Sequence, residues 1–340
     1  MKNDVGVVCP KCKGELEELD TTATQCRRCS MQYRVVFAIP DLRYPVVGLE
    51  NDPEMKIAER LIEAYPRSHY LDLVDLFVSS IDVSNIPGHL VSLYRRHRSC
   101  QLVRGQQFTD MFLARLKEHY DLNDFVWALE LGCGAGAGLV ALSHSYRNVI
   151  GIDPSLSQLI LARKFCDENN IGNVQLVQAY GQQLPFPDNS FSYATAQNVL
   201  EHVFDVEGVI AEVSRVLKPS GCFAADSRNR YDVIFPEPHV QLRGVGLLPR
   251  AWANSYVQWR IGMSYEAFHA RLLSFGDLQK ALRKSFGDHY RIVIPRVSAY
   301  DMPKKWDSLL ATLERFGWLQ QWLTIIFPSH LALAQKQGPG

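Results

Sequence analysis

The chain has 340 residues, 47% of them apolar and 21% charged, the balance of a globular protein with a large core. Its 36 Lys and Arg equal its 36 Asp and Glu, so bulk charge argues against a protein wrapped in nucleic acid, although a local basic patch stays open. No run nears the roughly 18 apolar residues of a membrane span; the best, Leu323 to Ala334, is broken by Pro328 and His330. The start, Met1 to Val8, is too short and too polar for a signal peptide, so a cytoplasmic location is expected. At about 100–200 residues per domain, the length predicts one large domain plus something smaller, or two middling ones.

Four of the eight cysteines fall in two pairs, Cys9-Pro-Lys-Cys12 and Cys26-Arg-Arg-Cys29, thirteen residues apart. Two residues between thiolates let both sulfurs of a pair reach one tetrahedral ion, and an intervening excursion brings the second pair opposite. Lys11, Lys13, Arg27 and Arg28 beside them favour thiolate over thiol. Zinc is the favoured reading and disulfides the alternative; four cysteines leave no open position, so such an ion folds the module rather than catalyses. Tyr33 to Leu42 reads as the last strand of a zinc ribbon. Cys100, Cys133, Cys166 and Cys222 read as core. Residues 5–45 resemble the small zinc-ribbon activator subunit of archaeal and eukaryotic methyltransferases, through the paired cysteines and the strand ending Ile39-Pro-Asp-Leu42.

Residues 1–48 are thus expected to form the zinc-ribbon module, and 49–122 a helical connector and lid that packs against and partly covers the domain after it. Met55, Ile57, Ala58, Leu61, Ile62 and Tyr65 give one amphipathic stripe, Tyr70 to Val78 a denser one, and Phe108 to Tyr120 a third. Tyr94-Arg-Arg-His-Arg98 is the concentrated basic run here, read as a solvated face with an anion clamp as the alternative.

Phe125 to Leu131 reads as a buried strand running into Gly132-Cys-Gly-Ala-Gly136 and a helix over Leu139 to Tyr146. The glycines permit positive φ and close approach of a ligand to backbone. A second strand, Asn148 to Asp153, ends in an acid about twenty residues later, placed to accept both hydroxyls of a ribose. NAD and S-adenosylmethionine both fit so far. Glu130, two residues before the first glycine, would repel a pyrophosphate but suits a ligand carrying an ammonium and a sulfonium. The sign of that charge favours S-adenosylmethionine.

Glu130 to Gly136 and Gly151-Ile-Asp-Pro154 resemble the first two motifs of class I S-adenosylmethionine-dependent methyltransferases of the ubiquinone/menaquinone-biosynthesis type. Leu184 to Phe191, Asn198-Val-Leu-Glu-His-Val203 and Val216 to Gly221 continue the series in order. The resemblance implies an α/β, Rossmann-like seven-stranded sheet over residues 123–336. It also implies that Gly132, Gly134 and Gly136 line the amino-acid moiety, with Glu130 near its ammonium and Asp153 on the ribose. Tyr180, Gly181 and Gln182 would meet the adenine, and Asn198 the methionine portion. One departure stands out: the family's acid two residues before Glu-x-Leu-Pro is Tyr180 here, and Gln182 replaces the Glu.

After the fifth strand, Gly221 to Ser227, about 45 residues intervene, from Arg228 to Leu273, rich in aromatic and charged groups. Insertions at this point overhang the carboxyl ends of the strands, so this one reads as a substrate lid, with a packing appendage as the alternative. The remainder predicts a helix over Phe275 to Ser285, a strand over Arg291 to Pro295, a helix over Lys304 to Phe316 and a strand over Leu323 to Ala334. Catalytic candidates are His202, after the fourth strand, and His239 and Tyr231 on the insertion; for His202 a structural or cofactor-side role competes with that of base. The expected activity is methyl transfer to a small-molecule or lipid-like acceptor. Alternatives are an RNA or protein methyltransferase using the ribbon for activation or recognition, and a non-catalytic scaffold. Oligomeric state is not legible.

Overall fold

The computed structural model describes residues 5–45, 54–80, 105–233, 235–268, 270–296 and 323–338, with isolated positions elsewhere. Two sheets organise these residues. The first is a four-stranded antiparallel ribbon of β1 (Leu16–Glu18), β2 (Ala23–Cys26), β3 (Gln32–Val36) and β4 (Ile39–Pro40).

The second sheet has seven strands: β5 (Trp127–Leu131), β6 (Asn148–Asp153), β7 (Val174–Gln178), β8 (Phe191–Ala196), β9 (Leu217–Arg228), β10 (Tyr290–Val293) and β11 (Ser329–Gln335). Their order is β10-β11-β9-β8-β5-β6-β7. β5 to β9 run parallel, while β11 is antiparallel to both its neighbours. The order reverses at β5, whose neighbours β6 and β8 carry the chain to opposite edges, so a crevice opens at its carboxyl end.

Alternation along the strands builds a core on each face. Ala128, Cys222, Ala224, Leu331 and Leu333 belong to one cluster, and Leu129, Leu131, Phe223, Ala225, Ala332 and Ala334 to the other. The first face is covered by α1 (Met55–Ala64), α2 (Tyr70–Ser80), α3 (105–117), α4 (Ala137–Ser145) and α5 (Leu156–Glu168). The second carries α6 (Val206–Val216) and α8 (Phe275–Phe286), which bury Val209, Ile210 and Val213 and Leu278, Ala281 and Leu282. α7 (Arg250–Ile261) belongs to the insertion, with a small core of its own around Val240, Val245, Ala253 and Val257.

The ribbon docks on its own chain. Asp41 pairs in parallel with Gln178, and the Leu42 N–H donates to the Gln178 carbonyl at 2.7 Å, so the ribbon covers the open edge of β7. The Lys13 ammonium donates to the Leu184 carbonyl and to Glu212 at 3.1 Å, and the Val8 N–H to the Pro185 carbonyl. Arg163 reaches back from α5 to the Phe37 and Ala38 carbonyls.

Three expectations change in detail. Tyr33 to Leu42 is a hairpin rather than one strand: Phe37 and Ala38 sit at φ of 53° and 54°, and Arg163 holds their carbonyls. The last strand begins at Ser329, because Leu323–Ile326 are helical and Pro328, lacking an N–H, separates the two. β10 ends at Val293, short of Pro295. The basic run Tyr94 to Arg98 lies outside the described residues, as does most of the helix expected over Lys304 to Phe316.

Candidate cofactor and metal sites

The Sγ atoms of Cys9, Cys12, Cys26 and Cys29 all lie within 4.8 Å of one another, with Cys9–Cys29 at 3.7 Å and Cys12–Cys26 at 3.5 Å. A tetrahedral zinc with bonds of about 2.3 Å has sulfur–sulfur edges of about 3.8 Å. The donor set therefore fits that ion. The Tyr33 hydroxyl lies 3.1 Å from Cys9 Sγ and the Arg28 N–H points at Cys26 Sγ, donors suited to thiolate charge.

At the carboxyl end of β5 the chain turns through three glycines at positive φ: Gly132 (60°), Gly134 (49°) and Gly136 (87°). Their surroundings differ. A Cβ at Gly132 would strike Val199 at 2.4 Å, and one at Gly136 would press on Ala162 at 3.0 Å. A Cβ at Gly134 would meet only the Gln158 side chain, at 3.8 Å. Gly134 is the member of the trio that faces open space, while Gly132 and Gly136 let Val199 and α5 approach the turn.

Glu130 lies under this loop, only 3% exposed, and its Oε2 has no hydrogen-bond partner. Burial, then the neighbouring Asp153, push its carboxyl up to about 8. An orphaned carboxylate oxygen beneath a glycine turn is the complement of a cationic ligand. Asp153, at the end of β6, accepts the Gly134 N–H at 3.0 Å and the Ser155 N–H at 2.9 Å. The Ala179 N–H donates to the Asp153 carbonyl, so the turn Tyr180-Gly181-Gln182 begins beside that acid. Gln183 in the same turn has a buried Oε1 without a partner.

Across the crevice, Asn198 follows β8 at φ 52°, exposed, with its N–H donating to Asp226 at 2.8 Å. His202 closes the next turn through its N–H to the Val199 carbonyl, which places it one turn from the side chain packed on Gly132. Glu201, beside it, is 2% exposed, and burial and Asp226 push it up to about 7.

The insertion reaches this edge. His239 Nε2 lies 3.4 Å from His202 Nε2, and its Nδ1 lies 2.5 Å from Glu237 Oε1. Tyr231 is exposed, its ring 5.8 Å from the Arg230 guanidinium. The structure thus brings two of the three catalytic candidates together.

Sequence reasoning missed Gly138, Gly105 and Asp226; Glu237 it named only as a group on the insertion that could lean in beside His239 and Tyr231. A Cβ at Gly138 would lie 2.1 Å from Glu130 Oε1, and one at Gly105 2.5 Å from Ala137, so α3 presses on the start of α4. A glycine inside a helical pattern was a usable sign of such close packing. Asp226 carried none, since its partner, the Asn198 N–H, comes from a distant segment.

A methyltransferase-domain family profile matches residues 129–225. Among curated proteins, the chain is 33% identical over 153 residues to an uncharacterized methyltransferase of Bacillus subtilis, covering 45% of this chain and 58% of that one. It is 28% identical over 248 residues to a sterol 24-C-methyltransferase of Pneumocystis carinii, 65% of this chain and 63% of the relative. To a demethylmenaquinone methyltransferase of Geobacillus kaustophilus it is 37% identical over 97 residues, 28% and 42% of the two chains. It spans less than two thirds of each of these relatives. The crystal structure of the Bacillus subtilis protein YcgJ superposes with a TM-score of 0.44 at 21% identity, over 68% of this chain and 99% of that one. The chain therefore carries a class I S-adenosylmethionine-dependent methyltransferase domain, centred on residues 129–225.

Proposed function

We propose that the protein transfers a methyl group from S-adenosylmethionine to a small or lipid-like acceptor, and that zinc bound by Cys9, Cys12, Cys26 and Cys29 holds the ribbon in shape. The observation that carries the first part is the buried Glu130 carboxyl, one oxygen without a partner, set against Gly138 at the start of α4, just past the glycine turn. Ionised by an arriving cation, it complements the ammonium of the donor, an attraction that a pyrophosphate cannot call on. Asp153 is the acceptor for the ribose hydroxyls, with Tyr180, Gly181 and Gln182 against the adenine, and Asn198 beside the methionine portion. When bound, the donor supplies a methyl group already activated by its sulfonium, so the protein's work is to align the acceptor and keep water away.

For the acceptor, support comes from the insertion and from the relatives. The sterol and demethylmenaquinone enzymes are named for apolar small molecules. The insertion carries apolar and aromatic groups of similar character, Tyr231 and Phe235 on its first loop and Tyr256 and Tyr265 against its own small core. The test is incubation with a lipid and metabolite extract and methyl-labelled S-adenosylmethionine. Label recovered in a low-mass, extractable product supports the reading; label confined to RNA or protein contradicts it.

A further inference from the structure

Glu237, His239 and His202 form one line, from a buried carboxylate to the mouth of the crevice. The Glu237 side chain is 3% exposed and is fixed by the N–H groups of His239 and Val240, both donating to Oε2 at 2.8 Å. Its other oxygen faces His239 Nδ1 at 2.5 Å, which holds the ring proton on Nδ1 and leaves Nε2 as the proton-accepting atom. His202 Nε2 meets that atom at 3.4 Å, with the rings nearly perpendicular at 84°. A carboxylate orienting one imidazole, and that imidazole touching a second at an active-site edge, is the arrangement of a general base.

We propose that Glu237, His239 and His202 form a proton relay, and that the acceptor accordingly carries an O–H that must lose its proton: a phenol, enol or alcohol rather than a carboxylic acid. This rests on the methyltransferase reading. The acceptor's O–H bond breaks and the oxygen keeps the electron pair that forms its new bond to the methyl carbon, while the bond from that carbon to sulfur breaks and its pair stays on sulfur. The proton forms an N–H bond at His202 Nδ1, the His202 Nε2 proton passes to His239 Nε2, and the charge comes to rest on His239, where the Glu237 carboxylate balances the imidazolium. Glu237 is a positioning residue, since its contacts are with His239, its own turn and Tyr265. An acceptor presenting a carboxylate has no such proton to give, and the relay would be idle.

The groups facing His239 agree in sign. Burial pushes it down, but the hydrogen bond and charge of Glu237 outweigh that, Glu201 adds to them, Arg228 opposes, and the ring ends above its ordinary value. Activity is therefore lost as pH falls through the His239 midpoint.

Nitrogen NMR of the histidine rings, on protein saturated with S-adenosylhomocysteine, tests the geometry without turnover. We expect His239 to carry its proton on Nδ1 and to titrate above about 6.5. Glu237→Gln keeps an oxygen for the two backbone donors and should lower the midpoint by about one unit or more. A proton on Nε2, or an unmoved midpoint, overturns the relay. Failure of the wild-type protein to bind S-adenosylhomocysteine would sink the methyltransferase reading instead, because the titration can be repeated on the unliganded chain. For the acceptor class, release of S-adenosylhomocysteine is followed with 1-naphthol and with octanoate. Turnover of 1-naphthol that falls about 100-fold or more in His239→Gln supports the assignment. Preference for octanoate, turnover of neither, or an undiminished His239→Gln rate overturns it.

Discussion

The carboxylate of Glu130 fills the space that a side chain at Gly138 would need: a Cβ there would lie 2.1 Å from Oε1. The acid on β5 and the glycine in the first turn of α4 are thus one device, letting a charged group lie beneath a helix start. Gly138→Ala should cost about 1–3 kcal/mol, the usual penalty for overpacking. Pairing it with Glu130→Ala should recover part of that loss in a double-mutant cycle. Strict additivity of the two melting shifts would separate the residues.

Glu130 also makes binding proton-linked. Its carboxyl is raised to about 8, so near pH 7 it is largely neutral until a cation arrives and ionises it. Titration calorimetry with S-adenosylmethionine at pH 7, in buffers of different ionisation enthalpy, should show release of up to about one proton, absent in Glu130→Gln. The sign carries over to the unliganded fold. A raised carboxyl contributes stability that is complete below about 4.5 and is lost as pH rises through about 8. The melting temperature of Glu130→Gln should therefore gain on wild type across that window and level off above it. Parallel curves would refute the assignment.

Asp153 holds the N–H groups of Gly134 and Ser155, and in the proposed reading its carboxylate also takes the ribose hydroxyls. Asp153→Ala should weaken S-adenosylmethionine binding by about 1–3 kcal/mol, the scale of lost charge-assisted hydrogen bonds. Unchanged affinity would remove the ribose assignment.

The ribbon protects an edge. Cys26→Ser should release zinc and speed amide exchange across residues 5–45, leaving β5, β6 and β8 protected. Exchange at Leu176–Gln178 should rise as well, because the Leu42 N–H and Asp41 no longer cover β7. Full zinc occupancy in that variant, or unaltered exchange, contradicts this.

What was legible in the sequence was whatever is written locally. The cysteine spacing announced a four-sulfur cluster, and Glu130 to Gly136 followed by Asp153 announced the switch point of the sheet. Less legible was the division of labour among the glycines, because Val199 and Ala162, which press on Gly132 and Gly136, come from distant segments. The Phe37–Ala38 turn was hidden for a related reason: neither residue favours positive φ, and the Arg163 that holds their carbonyls lies on α5. Glu237 and His239 were legible as groups that could lean in from the insertion, but their pairing and the contact with His202 appear only in the fold.

In the proposed reading the crevice at the end of β5 holds a cationic methyl donor. Calorimetric titration of the chain with S-adenosylmethionine and, separately, with NAD puts this to the test. One S-adenosylmethionine should bind per chain, with no heat from NAD. Binding of NAD, or silence with S-adenosylmethionine, would contradict the account.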